Sequence, residues 1–431
     1  MARIELTPNA KQLLRKASRE AIADYLITVA ARYRRVKWLN RNNRYREDCI
    51  QQYAEDLEAN SVSDAHLRSY IAASGPAHVI DAWSFVGRAI DALLRRDSYS
   101  AIHFGYYAEL RSAMGLLACE GVGVFDRKHA VVTEPGYTKC LNVGAGTHRV
   151  VGPCLRHWST LRRAEELLDG IVAPADIRLS EWLVACRAAA RARAIAKGWL
   201  MAWGVDLWQI DRDHDARNLA SYRPSEFRCP EALPVSRLAE FVRELWQMFE
   251  PSAGGRFAVL EKQLLRRALR VGQAAASTKE AVANMGFSPA EAKEWATFLS
   301  GTTGPEPLNQ AEQHDGIESA GCPLQVISRA ALLAYIATSA AAGHLRNAKY
   351  SVEDLGFWWR RFGVTRGLWD ESGAPDDPSD AWADVQASLE DIEEALQANH
   401  EARFRSWRTD RSKAVGQLGA WELIAVWGLL P

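Results

Sequence analysis

The chain of 431 residues has no excess of either charge, with 53 Lys and Arg against 53 Asp and Glu. Its total charge therefore draws it neither to nucleic acid nor to an anionic membrane, and any such partner must be held by a local patch. The start, MARIELTPNAKQLLRKASRE, has neither the apolar core nor the small-residue cleavage site of a secretory leader, so a cytoplasmic protein is expected. The longest apolar stretch, residues 330–342, is shorter than the ~20 residues a spanning helix needs, and no membrane partner is expected. Seven cysteines, at 49, 119, 140, 154, 186, 229 and 322, include no Cys-x-x-Cys pair, which suits reduced thiols better than a disulfide framework. Also missing are a G-x-x-x-x-G-K-S/T phosphate loop, a G-x-S-x-G nucleophile turn and an H-E-x-x-H helix. Gly121-Val122-Gly123 lacks the third glycine of a dinucleotide site, so no cofactor is expected.

What is present is mostly helical signal. A hydrophobic fraction of 48% with 25% charged residues is ordinary for a folded chain, and the length favours more than one domain. Thr7-Pro8 places a capping residue before a proline at the first helical position, with apolar residues at helical spacing toward Arg35. Further helices are expected over about 76–94 and 98–118, with Gly121 as a left-handed cap. The glycine- and valine-rich stretch 121–152 has no 3.6-residue period and reads as a loop or small hairpin. Helices are expected again near 155–168 and 180–203, followed by a polar connection over 211–234. Ser288 and Ser351 each open a capping-box pattern, 301–324 reads as an irregular loop, and helices near 327–344, 352–362, 381–399 and 401–429 complete the chain. The expected fold is an all-α, two-domain helical bundle, residues 1–215 and 216–431, with the hairpin or loop inserted near 121–152.

Charge is patterned although the sum cancels. RYRRVKWLNRNNRYR, residues 32–46, holds seven basic residues, no acid and three aromatics, whereas 370–401 is rich in acids and holds no Lys or Arg. Arg32, Arg34, Arg35, Lys37, Arg41, Arg44 and Arg46 suit phosphates, and Trp38, with Tyr33 and Tyr45, suits base stacking, as in single-stranded nucleic-acid sites. A solvated helix end whose arginines pair with Glu47 and Asp48 gives the same pattern.

Arg96-Asp97-Ser98-Tyr99-Ser100-Ala101-Ile102-His103 brings another combination. Asp97 caps a helix, Arg96 lies just outside its start, and His103 lies about one and a half turns in. An imidazole to move the 2′-hydroxyl proton and a guanidinium to hold phosphorane charge are what metal-free RNA cleavage needs. The structural alternative pairs Arg96 with Asp91 and satisfies His103 on a backbone carbonyl. Together with the aromatic and small-residue helix 99–117, a glycine turn and Lys128-His129, this segment resembles the HEPN superfamily over residues 76–130. That resemblance implies an antiparallel helical bundle, frequent dimers with the Arg and His near the interface, RNA cleavage in active members, and inactive scaffolds among the rest. It would make Arg96 and His103 catalytic, and Tyr107 and Arg111, one and two turns beyond His103, supporting groups.

Two patterns offer metal ligands, and each also has a simpler reading. Cys140, His148, Cys154 and His157 supply the ligand types of a tetrahedral zinc site, at a spacing no common zinc module uses; buried free thiols are the alternative. Asp211-Arg212-Asp213-His214-Asp215 offers oxygen ligands, or a polar linker of alternating charge. Sixteen Trp residues, among them Trp358-Trp359 beside Arg360 and Arg361, fit core packing with cation–π support, or a ligand pocket lined by Trp. The resemblance thus implies a protein of nucleic-acid-directed stress or phage defence, toxin-like, with RNA as partner and a metal-independent ribonuclease activity expected at Arg96 and His103. The alternative is a non-catalytic scaffold that recruits partners, including a second copy, through its basic and acidic segments.

Overall fold

The computed structural model describes residues 4–33, 37–186, 196–223, 225, 234–252, 256–271, 278–313, 322–367, 369–370, 381–398 and 420–429. The fold is all-α with one small sheet. The first third contains helices α1 (Pro8–Arg15), α2 (Arg19–Tyr33), α3 (Cys49–Glu58), α4 (Asp64–Leu94) and α5 (Ser98–Cys119). Strands β1 (Val122–Val124), β2 (His129–Thr133) and β3 (Tyr137–Leu141) follow, then α6 (Thr147–Trp158), α7 (Arg162–Ile171), α8 (Leu179–Ala185), α9 (Ala196–Ala202) and α10 (Gln209–Tyr222). Next come α11 (Val235–Met248), α12 (Ala258–Val271), α13 (Thr278–Ala283), α14 (Pro289–Ser300) and α15 (Glu306–Glu312). The last are α16 (Pro323–Asn347), α17 (Gly356–Arg366), α18 (Ala381–Ala398) and α19 (Leu423–Leu429).

Three long helices, α4, α5 and α16, pack on one another and form the centre. Glycines let them approach. A Cβ on Gly75 of α4 would lie 3.0 Å from Cys119 Sγ of α5, and one on Gly105 of α5 would lie 2.9 Å from Val326 of α16. Polar ties fix the register: Trp83 Nε1 donates to Thr338 Oγ1 at 2.9 Å, and His344 Nε2 lies 3.0 Å from the Cys119 carbonyl. Helix α16 is long and apolar enough to span a membrane by length and composition, but 89% of its apolar window is buried inside the molecule. Removing so much apolar surface from water is the main drive for this packing.

Several expectations are corrected by what packing dictates. The segment expected as one helix toward Arg35 is two, α1 and α2, broken at Lys16–Ser18; there Ala17 forms a lone bridge to Thr133 of the sheet. Helix α4 begins at Asp64 rather than at Pro76, because buried Leu67, Ile71 and Ala72 carry the apolar face across the proline. The stretch 121–152 is a three-stranded antiparallel sheet in the order β1-β2-β3, with Val122 opposite Val131 and Ala130 opposite Cys140, and α6 already begins at Thr147. Gly121 does adopt the left-handed conformation, φ +85°, and a Cβ there would lie 2.8 Å from the Ser18 carbonyl. Within 301–324, expected as irregular, α15 forms and buries Leu308 and Ala311.

The polar connection expected over 211–234 is instead the helix α10 as far as Tyr222, so the expected boundary at 215 falls inside a helix. Residues from both sides of that position meet in the core: the Trp83 and Phe249 rings lie 4.9 Å apart at a near-perpendicular angle. Both capping boxes form. Ser288 and Glu291 exchange side-chain and backbone bonds, as do Ser351 and Asp354.

Candidate functional site

Helix α5 is fixed at its start by Asp97, whose carboxylate accepts from Ser100 N at 3.0 Å. Its Ala and Gly residues face α4 and α16, while His103, Tyr106 and Tyr107 face a cleft bounded by α6 and α10. Those two helices bring His148, His214, Arg217 and Ser221 to the same place. Tyr106 Oη lies 2.8 Å from His148 Nδ1, the His148 and His214 rings stack at 5.4 Å, and His103 Nδ1 lies 2.7 Å from Ser221 Oγ. The His103 and Tyr107 rings are 5.0 Å apart. All three imidazoles and Tyr107 are half-buried, so the cluster reaches the protein surface.

The hydrogen bonds assign tautomers. Tyr106, kept protonated chiefly by burial, donates to His148 Nδ1 and leaves the His148 proton on Nε2. The Asn218 side-chain oxygen accepts from Arg217 Nη1 at 2.8 Å, so its amide nitrogen donates to His214 Nε2 at 3.3 Å. All three imidazoles are held neutral at physiological pH. Burial pushes His148 down to about 4, with His214, Arg217 and Arg111 adding to the effect. Burial and then Arg217 lower His103, and burial is likewise the largest cause for His214.

Arg217 sits at the centre, 6% exposed. Its guanidinium donates to Tyr107 Oη and lies 5.0 Å from the Tyr107 ring, 5.8 Å from Tyr106 and 5.6 Å from exposed Tyr222. Among the described residues no carboxylate lies within ion-pair distance of it, and its Nε has no hydrogen-bond partner. A buried cation without a counter-charge is costly, and an anion in the cleft would remove the cost.

One turn back on α10, Asp213 holds the opposite arrangement. Arg329 of α16 grips it through Nη2 at 2.8 Å to both oxygens and through Nε at 3.1 Å, and Glu109 Oε1 lies 3.7 Å from the same guanidinium. With one arginine between two fully buried carboxylates, burial and the Asp213 charge hold Glu109 far above the usual carboxylate range. The triad is thereby neutral and locks α5, α10 and α16 together beneath the cleft.

The residues singled out in the sequence fall as follows. His103 and Tyr107 join the cluster. Arg111 faces α4 instead, with Nη1 3.1 Å from His78 Nδ1 and 3.6 Å from Asp81, while still acting electrostatically on His148. Arg96 is exposed in the turn between α4 and α5 with φ +60°, and the pairing expected for it with Asp91 is made by Arg95, at 2.8 Å.

In the basic segment, Arg34 and Arg35 lie outside the described residues, and Arg32 is in the last turn of α2. Trp38 packs on Phe357 and Trp358 at 5.5 and 5.9 Å, while Arg44 and fully buried Tyr45 both bond Asp56. These side chains are thus occupied within the fold; Arg46 lies 3.9 Å from Glu47 at the surface, and Lys37 and Arg41 are in the connection before α3. From the acidic segment, Glu393 pairs with Arg243 at 2.9 Å.

The four zinc candidates are apart in role. Cys140 is exposed on β3, Cys154 is fully buried in α6 with its thiol pushed up to about 12 by burial, and His157 bonds the Lys11 carbonyl at 3.0 Å. His148 belongs to the cleft. Among 211–215, Asp211 pairs with Arg156 at 3.0 Å and Asp213 with Arg329. Among the described residues no group of three or more His, Cys, Asp or Glu side chains is placed to hold a metal ion.

Sequence reasoning missed Tyr106, His214 as a cleft residue, Arg217 and Ser221. The signal was present, since His214, Arg217 and Ser221 are spaced i, i+3 and i+7, one face of a helix. It was hidden because that buried face is polar and gives no apolar period.

No protein-family model, no curated protein and no solved structure matches the chain.

Proposed function

We propose that the chain is a metal-independent endoribonuclease, of the kind used in nucleic-acid-directed stress or phage defence, with Arg217 rather than Arg96 as the phosphate clamp. The observation that carries this reading is Arg217 itself, buried beside three neutral imidazoles with no carboxylate among the described residues to balance it. His103 is the general base: with Nδ1–H donating to Ser221 Oγ, its Nε2 lone pair takes the 2′-hydroxyl proton. The 2′-oxygen attacks the adjacent phosphorus, Arg217 and the His148 Nε2–H hold the phosphorane oxygens, and the 5′-oxygen leaves, taking a proton from water. The products are a 2′,3′-cyclic phosphate and a 5′-hydroxyl. The HEPN resemblance over 76–130 points to the same chemistry and carries His103 into it.

The test is incubation of the purified chain with total RNA in EDTA, beside His103→Ala and Arg217→Met, with end-group analysis of the fragments. Cyclic phosphate ends from the parent, reduced 100-fold or more in both variants, support the reading. Intact RNA in every lane overturns it in favour of the scaffold. Cleavage that survives His103→Ala overturns the assignment of the base.

A further inference from the structure

Next to the imidazole cluster, on the far side of the Arg156–Asp211 pair, lies a pocket of about 210 Å³ between α6, α9 and the start of α10. Its walls are Leu200, Met201 and Trp208, and Arg156, Lys197 and Asp206 supply polar groups at its rim. The volume is below the ~300–1,000 Å³ of sites for drug-sized ligands, so it suits a single ring system rather than a cofactor. Two side chains that bulk would normally hide stand open there: Met201 is 42% exposed and Trp208 is 42% exposed. The Arg156 guanidinium lies 4.1 Å from the centre of the Trp208 ring, which fixes that indole as a flat, electron-rich wall.

The pocket and the imidazole cluster lie along one face of α6. His148, Gly152 and Arg156 are spaced i, i+4 and i+8 on that face, so the two lie about 12 Å apart at 1.5 Å per residue. Gly152 lets the Arg156–Asp211 pair pack close against α6 between them, because a Cβ there would lie 2.9 Å from Asp211 Oδ1. Each carries an arginine against an exposed aromatic ring, Arg156 with Trp208 and Arg217 with Tyr222. Paired cations and stacking surfaces along a groove are how proteins hold single-stranded nucleic acid.

We propose that this pocket binds one unpaired base of a single-stranded RNA, a short distance along the strand from the phosphate held at Arg217. The base stacks on Trp208, Asp206 accepts from its ring or exocyclic N–H, and Lys197 meets the backbone phosphate beside it. The reading rests on the ribonuclease assignment for its ligand but not for its test, which measures binding alone.

The full-length His103→Ala protein, which leaves RNA uncut, is titrated with fluorescein-labelled single-stranded hexaribonucleotides. One is complete and six others each lack the base at a different position. The expected result is that one abasic hexamer binds about tenfold more weakly than the complete one, the loss of a single stacked base. When Trp208→Ala is added, the complete and that abasic hexamer should bind alike, because the two changes remove the same contact. Trp208 is partly exposed, so this replacement leaves the core intact. If the abasic penalty persists unchanged in Trp208→Ala, or if neither protein binds the hexamers, the pocket assignment is overturned. Cleavage by the parent with an unchanged abasic penalty would sink the pocket alone, whereas a penalty that depends on Trp208 with no cleavage by the parent would sink the nuclease reading alone.

Discussion

Two buried arginines lie within a few residues' reach of each other and are treated in opposite ways. Arg329 is held by Asp213 on two oxygens and approached by Glu109, so its charge is matched and its donors are used. Arg217, one turn along the helix that carries Asp213, has a tyrosine hydroxyl, an amide oxygen and three aromatic rings around it. The first guanidinium is matched inside the fold, whereas the second is the one that the proposed function assigns to an incoming phosphate.

That contrast is broken most forcefully at Arg329. Arg329→Met leaves Asp213 buried without its cation, which should cost about 3–5 kcal/mol and show as a large fall in the urea midpoint. Glu109→Gln should cost less than about 1 kcal/mol, because a neutral amide replaces a carboxyl that is already protonated. Equal losses in the two variants would mean that Glu109 is charged and the triad carries a net negative charge.

Arg217→Met should do the reverse of Arg329→Met. Removing an unmatched buried charge should leave the urea midpoint unchanged or raise it by an amount worth about 1–2 kcal/mol, while RNA cleavage falls by roughly 10²–10³-fold. Inorganic phosphate should raise the Tm of the parent and not of Arg217→Met, since a ligand stabilises only the state that binds it. A variant that unfolds would place Arg217 in the same structural class as Arg329.

Smaller in size is the pH response. Burial pushes His148 down to about 4 and His78 down to about 3, with Arg111 acting on both and His214 and Arg217 on His148. The unfolded chain therefore takes up these protons first. Their contribution to stability is complete above the ordinary His value of ~6.5, falls as pH drops below it, and levels off near the folded values. Between pH 7 and pH 4.5 His78 should remove roughly 2 kcal/mol and half-exposed His148, which solvent screens, less than that, read from urea midpoints. His148→Gln should flatten the slope, and so should Arg217→Met in part, because Arg217 is one cause of the His148 shift. Cleavage should hold to lower pH than an ordinary imidazole base allows, because burial and then Arg217 lower His103 as well.

The same contrast explains what the sequence made legible. Helices that bury apolar and small residues nearly all round, such as α5 and α16, stand out as long runs with few charged residues, and Asp97 before α5 and Ser288 before α14 mark helix starts by residue type alone. Helix α10 buries Asp213 and Arg217, so charge sits where the apolar stripe would be and QIDRDHDARN reads as a linker. The candidate site suffered for that reason: His103 and Tyr107 lie on a visible helix and were found, while Arg217 and Ser221 lie on the hidden one. Arg96 is close to His103 in sequence, but Ser221, which packing brings to hydrogen-bond distance of His103, comes from 118 residues away.

Arg96 offers the smallest and most discriminating test of the comparison, being an arginine of a third kind. It is exposed, follows the last turn of α4 and holds φ +60°, the same left-handed conformation found at Asn60 after α3 and Lys349 after α16. Its backbone N–H bonds the Leu93 carbonyl at 2.9 Å, and Asp97 N bonds Ala92 O at 2.9 Å, so main-chain bonds hold the turn. A side chain at that φ is strained where glycine is not. Arg96→Gly should therefore raise stability by about 0.5–1 kcal/mol and leave the rate of RNA cleavage within twofold of the parent. Were cleavage to fall 100-fold while the urea midpoint rose, Arg96 would be the clamp, and the unmatched charge of Arg217 would need another explanation. Should both stability and cleavage hold, the clamp is the buried arginine, which only the fold could bring beside His103.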